Sequence, residues 1–333
     1  MLKIEESSSK KRSIFKSDYI KQNKLEISIV IVCFLIFSLY IVGNPKVFTK
    51  FDIYYSFMST IPFTGIMALA LTLVVTLGEM DLSFPSVMAF TAWVFSIVFA
   101  STHNVWLSTL ACLAMGAAAG LLNALLIVKI HIPSLVATIG TQFFFRGLVN
   151  VCASGKGISL VDTKGTLLYN LGVGRIGGII PAQAIWMLVI AIGFWLLFNR
   201  HKFGSHVSFV GDNKDSAQMM GINVSMVKTI VFVLMGVFAA FAGILANLEV
   251  TYFWPSQGQG YLMTTMAAVF IGGTSVYGGR GTILGTFMGA LIIGSLEAGI
   301  VAIGLTGFWI QAIYGMIILI SVSIYALMLQ KTE

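Results

Sequence analysis

The chain has 333 residues, of which 57% are hydrophobic and only 10% are charged. A soluble domain carries about 25% charged residues, so this composition excludes an ordinary water-soluble protein and predicts an integral membrane protein. The net charge of +7 does not indicate nucleic-acid binding, because the basic residues gather at the chain ends and in one hydrophilic stretch, 199–228.

Residues 1–26 are predicted to form a cytoplasmic arm. They mix basic with acidic residues, and no small-residue cleavage site follows the next apolar run, so they do not resemble a signal peptide. Residues 27–329 are predicted to be a single transmembrane domain, and residues 330–333 a cytoplasmic tail.

Ten apolar segments follow the arm. A helical crossing of a bilayer needs about 20 apolar residues. The segments are 27–42, 57–77, 84–100, 105–128, 134–152, 182–198, 227–248, 262–276, 282–303 and 308–329. The third and eighth are short, and we expect half-helices or re-entrant segments surrounded by protein. The predicted fold class is therefore an all-α membrane protein with about ten transmembrane helices, some of them broken or re-entrant.

The basic residues also predict the orientation of these segments. With the amino terminus in the cytoplasm, fourteen basic residues fall on the cytoplasmic side and five on the outside. This is the asymmetry of the positive-inside rule. An even number of crossings then predicts that both termini lie in the cytoplasm.

The first anomaly is a polar break with the sequence GEMDLS between the second and third segments. Glu79 and Asp81 are costly at membrane depth unless water, substrate or a partner such as Arg280 compensates their charge. They are therefore candidates for a translocation path. The simpler interpretation is a cytoplasmic turn in which Asp81 or Ser83 caps the helix that Pro85 starts, and Ser83 is a path candidate as well.

The second anomaly is a glycine-rich break with the sequence GGTSVYGGRGT between the eighth and ninth segments. Its glycines permit positive φ and close backbone approach, and its candidate path residues are Thr274, Ser275 and Arg280. The simpler interpretation is a tight loop. No GxxxxGK[ST] sequence occurs in the chain, so it has no P-loop for ATP.

The two breaks together predict a weak internal repeat. Five segments in each half is an odd number, so equivalent halves would have opposite orientations in the membrane. Paired interrupted segments of this kind indicate a transport pathway.

The third feature is the hydrophilic stretch 199–228. Asp212 or Asn213 can cap a short helix at 214–220, and Gly221 can end that helix in the left-handed conformation. Such a helix is a natural docking surface, on which methionines offer adaptable contacts, whereas the simpler interpretation is a solvated connector. The candidate docking residues are Asp212, Asn213, Ala217, Met219, Met220 and Gly221.

Asn123 and Gln142 lie within apolar segments, where polar groups face the bundle interior. Both are candidates for the translocation path, and interhelical hydrogen bonds are the alternative. The sequences GAAAG at 116–120 and GTFMG at 285–289 have the spacing of close helix packing. We expect that packing within the bundle rather than at a dimer interface.

Four stretches together resemble the permease subunits of ribose-type sugar ABC importers, and the resemblance extends over about 61–318. They are GEMDLSFPSVMAF, HIPSLVATIGTQFFFRGL, FVGDNKDSAQMMGI and FIGGTSVYGGRGTILGTFMGALIIG. Two departures stand out: Glu79-Met80 precedes Asp81 where the family commonly has Gly-Ile, and His206 follows Gly204-Ser205 where relatives often have Gly-Arg.

The resemblance implies an importer in the inner membrane of a bacterium, built from two permease subunits, ABC ATPase subunits and a periplasmic or lipid-anchored solute-binding protein. It implies that 209–222 docks on the ATPase and that both breaks lie along the path. The chain itself is then not an enzyme, requires no cofactor or metal, and moves a monosaccharide or sugar-like solute into the cytoplasm.

The alternative function is a proton-coupled secondary transporter that uses Glu79, Asp81 or Glu297. It differs in its energy source, which would be the proton gradient rather than ATP. A membrane-embedded enzyme lacks support, because no His/Asp/Glu cluster has metal-ligand spacing and no Ser or Cys lies with a plausible base.

Overall fold

Each of the ten predicted apolar segments contains a helix in the computed structural model, which describes residues 24–302 and 309–330. The helices are α1 (Lys24–Gly43), α2 (Pro45–Phe48), α3 (Phe51–Thr76), α4 (Phe84–Thr102), α5 (Val105–Val128), α6 (Ser134–Ala153), α7 (Leu167–Val173), α8 (Ala182–Asn199), α9 (Lys202–Asp212), α10 (Lys214–Met219), α11 (Val224–Val250), α12 (Tyr261–Ile271), α13 (Ile283–Ala302) and α14 (Trp309–Gln330). Seven helices within the described ranges are long and apolar enough to cross a membrane. The chain is thus an all-α membrane protein. Most of the predicted arm, and the predicted tail after Gln330, lie outside the described residues.

Two segments were expected to be half-helices, and one of them is. The eighth, α12, has 11 residues, which at about 1.5 Å per residue is roughly half of a bilayer core. The third, α4, has 19 residues and is long enough to cross, so the prediction was wrong for this segment. The apolar pattern ended at Ala100, but Ser101 and Thr102 continue the helix, and both hydroxyls donate to the Val98 carbonyl.

The centre of the bundle is α3, a helix that is apolar on all sides. Every residue from Ile61 to Thr76 is buried, because α8, α11, α12 and α13 pack around this helix. A helix of this kind cannot lie at a polar surface. Its end at Thr76 therefore brings the first break to a position surrounded by other helices.

Glycines set the closest helix contacts. A Cβ atom on Gly116 of α5 would lie 2.5 Å from the Gly236 carbonyl oxygen of α11, and one on Gly120 would overlap the Phe232 carbonyl. On α13, a Cβ on Gly289 would overlap the Ala268 carbonyl of α12. Both small-residue motifs therefore pack within the bundle, as predicted.

Short strands and an ion pair lie at the carboxyl-terminal end of α11. Strand β1 (Ile158–Ser159) pairs with β4 (Tyr252–Phe253), and β2 (Arg175–Ile176) pairs with β3 (Ile180–Pro181). Arg175 Nη2 lies 2.6 Å from Glu249 Oε1 near the end of α11. Gln183 of α8 donates to the other oxygen of Glu249 at 2.9 Å. These contacts join the loop before α8 to α11.

We expect Gly120→Leu to destabilise the bundle, because its side chain has to displace the α11 backbone. The free energy of unfolding in mixed micelles should fall by about 3 kcal/mol, the upper part of the range for overpacking. Gly140→Leu on α6 is the matched control, since no atom lies within 4 Å of a Cβ there. Equal effects of the two substitutions would contradict the close α5–α11 contact.

Candidate translocation and coupling site

An ion pair holds the first break, which connects α3 to α4. Gly78 turns the chain with a φ of +72°, a conformation that glycine adopts without strain. Glu79 then pairs with Lys228 in the first turns of α11, and these side chains are only 14% and 15% exposed. A charge this buried requires such a partner, because desolvation otherwise costs several kcal/mol.

Asp81 begins a chain of hydrogen bonds that ties the first break to two neighbouring helices. Its Oδ1 accepts from the backbone N–H and from the hydroxyl of Ser83, both at 2.7 Å. The Ser83 hydroxyl accepts from the Asn123 amide of α5 at 2.8 Å, and Asn123 Oδ1 accepts from the Thr141 hydroxyl of α6 at 2.7 Å. All four side chains are buried, so the bonds replace those that water would make.

The same bonds decide how α4 begins. Ser83 occupies the N-cap position but makes no capping bond with its side chain. Asp81 accepts a hydrogen bond from the N–H of Ser83, the residue just before the helix. The predicted cap is therefore a turn closed by the Asp81 side chain in front of α4. Burial raises the pKa of the Asp81 carboxyl, and the hydrogen bonds from Ser83 oppose that shift.

The second break, 272–282, is a turn built on glycines. Three of them have φ between +75° and +85°, which only glycine adopts readily. The N–H of Ser275 donates to the Arg280 carbonyl at 2.9 Å and closes the turn. The Ser275 hydroxyl accepts from the N–H of Tyr277 at 3.2 Å, so the tip is held by its own bonds.

The candidate path residues of the second break differ in exposure. Thr274 and Ser275 are buried, and the Thr274 hydroxyl has no hydrogen-bond partner among the described residues. Arg280 is exposed. Water, substrate or a basic partner such as Arg280 was expected to compensate the carboxylates of the first break, and Glu79 has a basic partner, which is Lys228.

The two breaks and the end of α9 meet, and their backbones touch. The N–H of Gly279 donates to the carbonyl of Thr76, the last residue of α3, at 2.8 Å. A Cβ on Gly278 would lie 2.9 Å from the Gly78 Cα and 2.6 Å from the Gly211 carbonyl oxygen. A Cβ on Gly211 would overlap the Thr76 carbonyl. We call Thr76, Gly78, Gly211, Gly278 and Gly279 the glycine junction.

The glycine junction bears on the predicted internal repeat. An inverted repeat relates opposite ends of the bundle, whereas the two breaks lie at one end and are in contact. The two breaks are therefore not equivalent points of such a repeat. A repeat between the halves stays a prediction from the number of segments.

The hydrophilic stretch forms two short helices, α9 and α10, connected at Asn213. The Asn213 side chain caps α10, since its Oδ1 accepts from the N–H of Ser216 at 2.9 Å. The other predicted cap, Asp212, is the last residue of α9. Helix α10 ends at Met219, and Gly221 then has a φ of +81°, as predicted.

Helix α10 buries one side and exposes the other. Ala217 is fully buried, and its carbonyl accepts from the N–H of Ile222 at 3.1 Å, which closes the end of the helix. Met219 and Met220 are 82% and 58% exposed. The two methionines are thus available for a contact, while Ala217 anchors the helix to the bundle.

The sequence did not predict several contacts of the site. The half-buried Gln142 takes no part in the hydrogen-bond chain, and its neighbour Thr141 binds Asn123 instead. Lys228 ends the hydrophilic stretch, so the sequence suggested a charged residue in a loop. Its ion pair with Glu79 of the first break was not predicted. Gly211 lies inside a recognised motif, but its close contact depends on residues far away in the chain.

Arg146 of α6 holds the segment that leads into α12. Its Nη1 donates to the carbonyls of Pro255 and Gln257 at 3.0 and 2.9 Å. A Cβ on Gly258 would overlap the Pro85 carbonyl at the start of α4. The segment therefore lies between α4 and α6, and the half-helix α12 follows a non-helical stretch that protein encloses.

Comparison with known proteins identifies the family. The family model described as "branched-chain amino acid transport system / permease component" matches residues 53–322, which contain both breaks and the glycine junction. The chain is similar to the ribose import permease protein RbsC of Escherichia coli (strain K12), with 29% identity over 312 residues that cover 93% of this chain and 95% of that protein.

Two further relatives have similar coverage. RbsC of Bacillus subtilis (strain 168) is 32% identical over 280 residues, which cover 84% of this chain and 86% of that protein. The autoinducer 2 import system permease protein LsrD of Salmonella typhi is 32% identical over 305 residues, which cover 88% and 90%. No solved structure matches the chain.

A double-mutant cycle tests the ion pair of the first break. Glu79→Gln leaves the Lys228 ammonium without its partner, and Lys228→Met does the same to the carboxylate, so each should lower the free energy of unfolding by about 3 kcal/mol, the low end of the range for a buried pair. The double variant should cost less than the sum by at least about 1 kcal/mol. Lys214→Met, on the exposed side of α10, is the control and should cost little. Strictly additive costs would contradict the pair.

Proposed function

From the premise that this chain belongs to the permease-component family matched over residues 53–322, we propose that it is the transmembrane subunit of an ABC importer for a monosaccharide or sugar-like solute. Relatives named for the import of ribose, L-arabinose and autoinducer 2 favour such a solute over the amino acids of the family description. A separate ATPase subunit hydrolyses the ATP, and the solute moves into the cytoplasm.

The observation that carries this proposal is the contact of the α9–α10 segment with both breaks. The chain has no P-loop, so energy from ATP has to arrive at a surface that another subunit can reach. Exposed Met219 and Met220 provide that surface on α10. Gly211, only two residues before the cap Asn213, touches the end of α3 and the second break. Movement of α10 therefore reaches both breaks without a flexible linker.

We place the glycine junction at the cytoplasmic side of a bacterial inner membrane. Basic residues concentrate at this end of the bundle, and an excess of Lys and Arg marks cytoplasmic loops. They are Lys129, Arg200, Lys202, Lys214, Lys228 and Arg280. The opposite end, with strands β1 to β4, then faces the periplasm and receives a solute-binding protein. With ten crossings both termini are cytoplasmic, and a second permease subunit, identical or different, completes the pathway.

We further propose that the path runs beside the two breaks. Asp81, Ser83 and Asn123 bind one another, so their role is to hold the first break in position. Thr274 has a buried hydroxyl without a partner among the described residues, and it can bind a solute hydroxyl when the second break moves. The other candidates remain predictions; they are Glu79, Gln142, Ser275 and Arg280.

Reconstitution tests the energy source. The chain is placed in proteoliposomes with the ATPase and solute-binding protein of its own organism, and uptake of labelled ribose and L-arabinose is measured. We expect ATP-dependent accumulation of at least one sugar, and none when the ATPase is left out. Accumulation driven by a proton gradient through the chain alone would overturn the proposal in favour of a secondary transporter.

Gly221 tests the docking role of α10. Its φ of +81° strains a β-branched residue, although no atom lies within 4 Å of a Cβ there. We therefore expect Gly221→Val to shift the end of α10 and to lower ATP-driven uptake at least about fivefold, while the subunit stays folded because the cost of a left-handed residue is only about 1–2 kcal/mol. Gly221→Asn, which tolerates this conformation, is the matched control. Normal coupling in Gly221→Val would count against docking through α10.

A further inference from the structure

The tip of the second break is exposed, although the residues on both sides of it are packed. Tyr277 is 63% exposed, and Arg280 is exposed as well. Between them, Gly278 and Gly279 belong to the glycine junction and press against the end of α9. The tip therefore presents an aromatic ring and a guanidinium outward from a fixed backbone.

This tip is continuous with the surface of the α9–α10 segment. A Cβ on Gly279 would lie 3.1 Å from the Cα of Asp212, the residue before the cap of α10. Asp212 and Asn213 are exposed like Met219. A partner that covers α10 thus meets the second break beside it.

The composition of the combined surface favours a protein partner. Aromatic residues, methionine and arginine are enriched in protein interfaces, and Tyr and Arg are frequent among the residues that dominate binding energy. Here Tyr277 and Arg280 extend the methionine surface of α10. A tyrosine can also anchor in lipid headgroups, but Tyr277 lies beside the hydrophilic stretch, where Asp212 and Asn213 are equally exposed.

We propose that the ATPase subunit contacts the second break directly, through Tyr277 and Arg280, in addition to α10. This inference rests on the proposed function, since it requires an ATPase partner. Its consequence is mechanical: movement of the ATPase acts on the turn between α12 and α13 itself, and the hydrogen bond from Gly279 to Thr76 passes that movement to the end of α3.

Site-specific photocrosslinking in the assembled complex tests the contact. p-Benzoylphenylalanine replaces Tyr277, Met219 or Tyr252 in three separate variants. Tyr252 is the matched control, because it is a 42% exposed tyrosine on β4, at the opposite end of α11. We expect crosslinks to the ATPase from positions 277 and 219 and none from position 252.

The outcomes separate the two proposals. A crosslink from 219 but not from 277, or from 277 only to lipid or to the other permease subunit, overturns the direct contact and leaves α10 as the docking site. No ATPase crosslink from either position overturns both. As an independent measurement, Tyr277→Ala should weaken ATPase binding about tenfold, as expected of an interface hot spot, while Tyr252→Ala should leave it unchanged. Unchanged binding in Tyr277→Ala would also overturn the contact.

Discussion

The absence of side chains on the four glycines of the glycine junction is the constraint on which this end of the molecule depends. Three segments that are distant in the chain approach until backbone atoms touch: the end of α3, the end of α9 and the second break. A Cβ on Gly211 or Gly278 would separate them, and the hydrogen bond from Gly279 to Thr76 would be lost. Because interiors are close-packed and transmit strain, a contact without flexible side chains moves as one unit.

The polar groups around the junction are compatible with a membrane because they are paired with one another. Glu79 has Lys228, and Asp81 is bound through Ser83 to Asn123. Each pairing connects the first break to a different helix, α11 or α5. The polar groups that make the first break unfavourable in lipid are therefore also the groups that hold it in place. The second break has no such charges buried, and glycine conformations shape it instead.

Local features of this chain could be predicted from sequence, and contacts between distant segments could not. The ten apolar runs, the cap at Asn213 and the left-handed Gly221 each depend on neighbouring residues, and the structure confirms them. The sequence left the compensation of Glu79 open between water, substrate and a partner such as Arg280, whereas the fold brings Lys228 to it. The glycine-rich sequence of the second break predicted close approach, but not that it approaches Gly211.

Helix α11 connects the junction to the far end of the bundle. The ion pairs found among the described residues lie at its two ends, Lys228 with Glu79 and Glu249 with Arg175. In its middle, Gly236 lets the backbone of α5 approach closely. A helix of 27 residues is about 40 Å long, so this single element spans the distance between the two ion pairs. The same helix thus carries Lys228, which anchors the first break, and Glu249, which anchors the loop before α8, so one element holds both ends of the bundle.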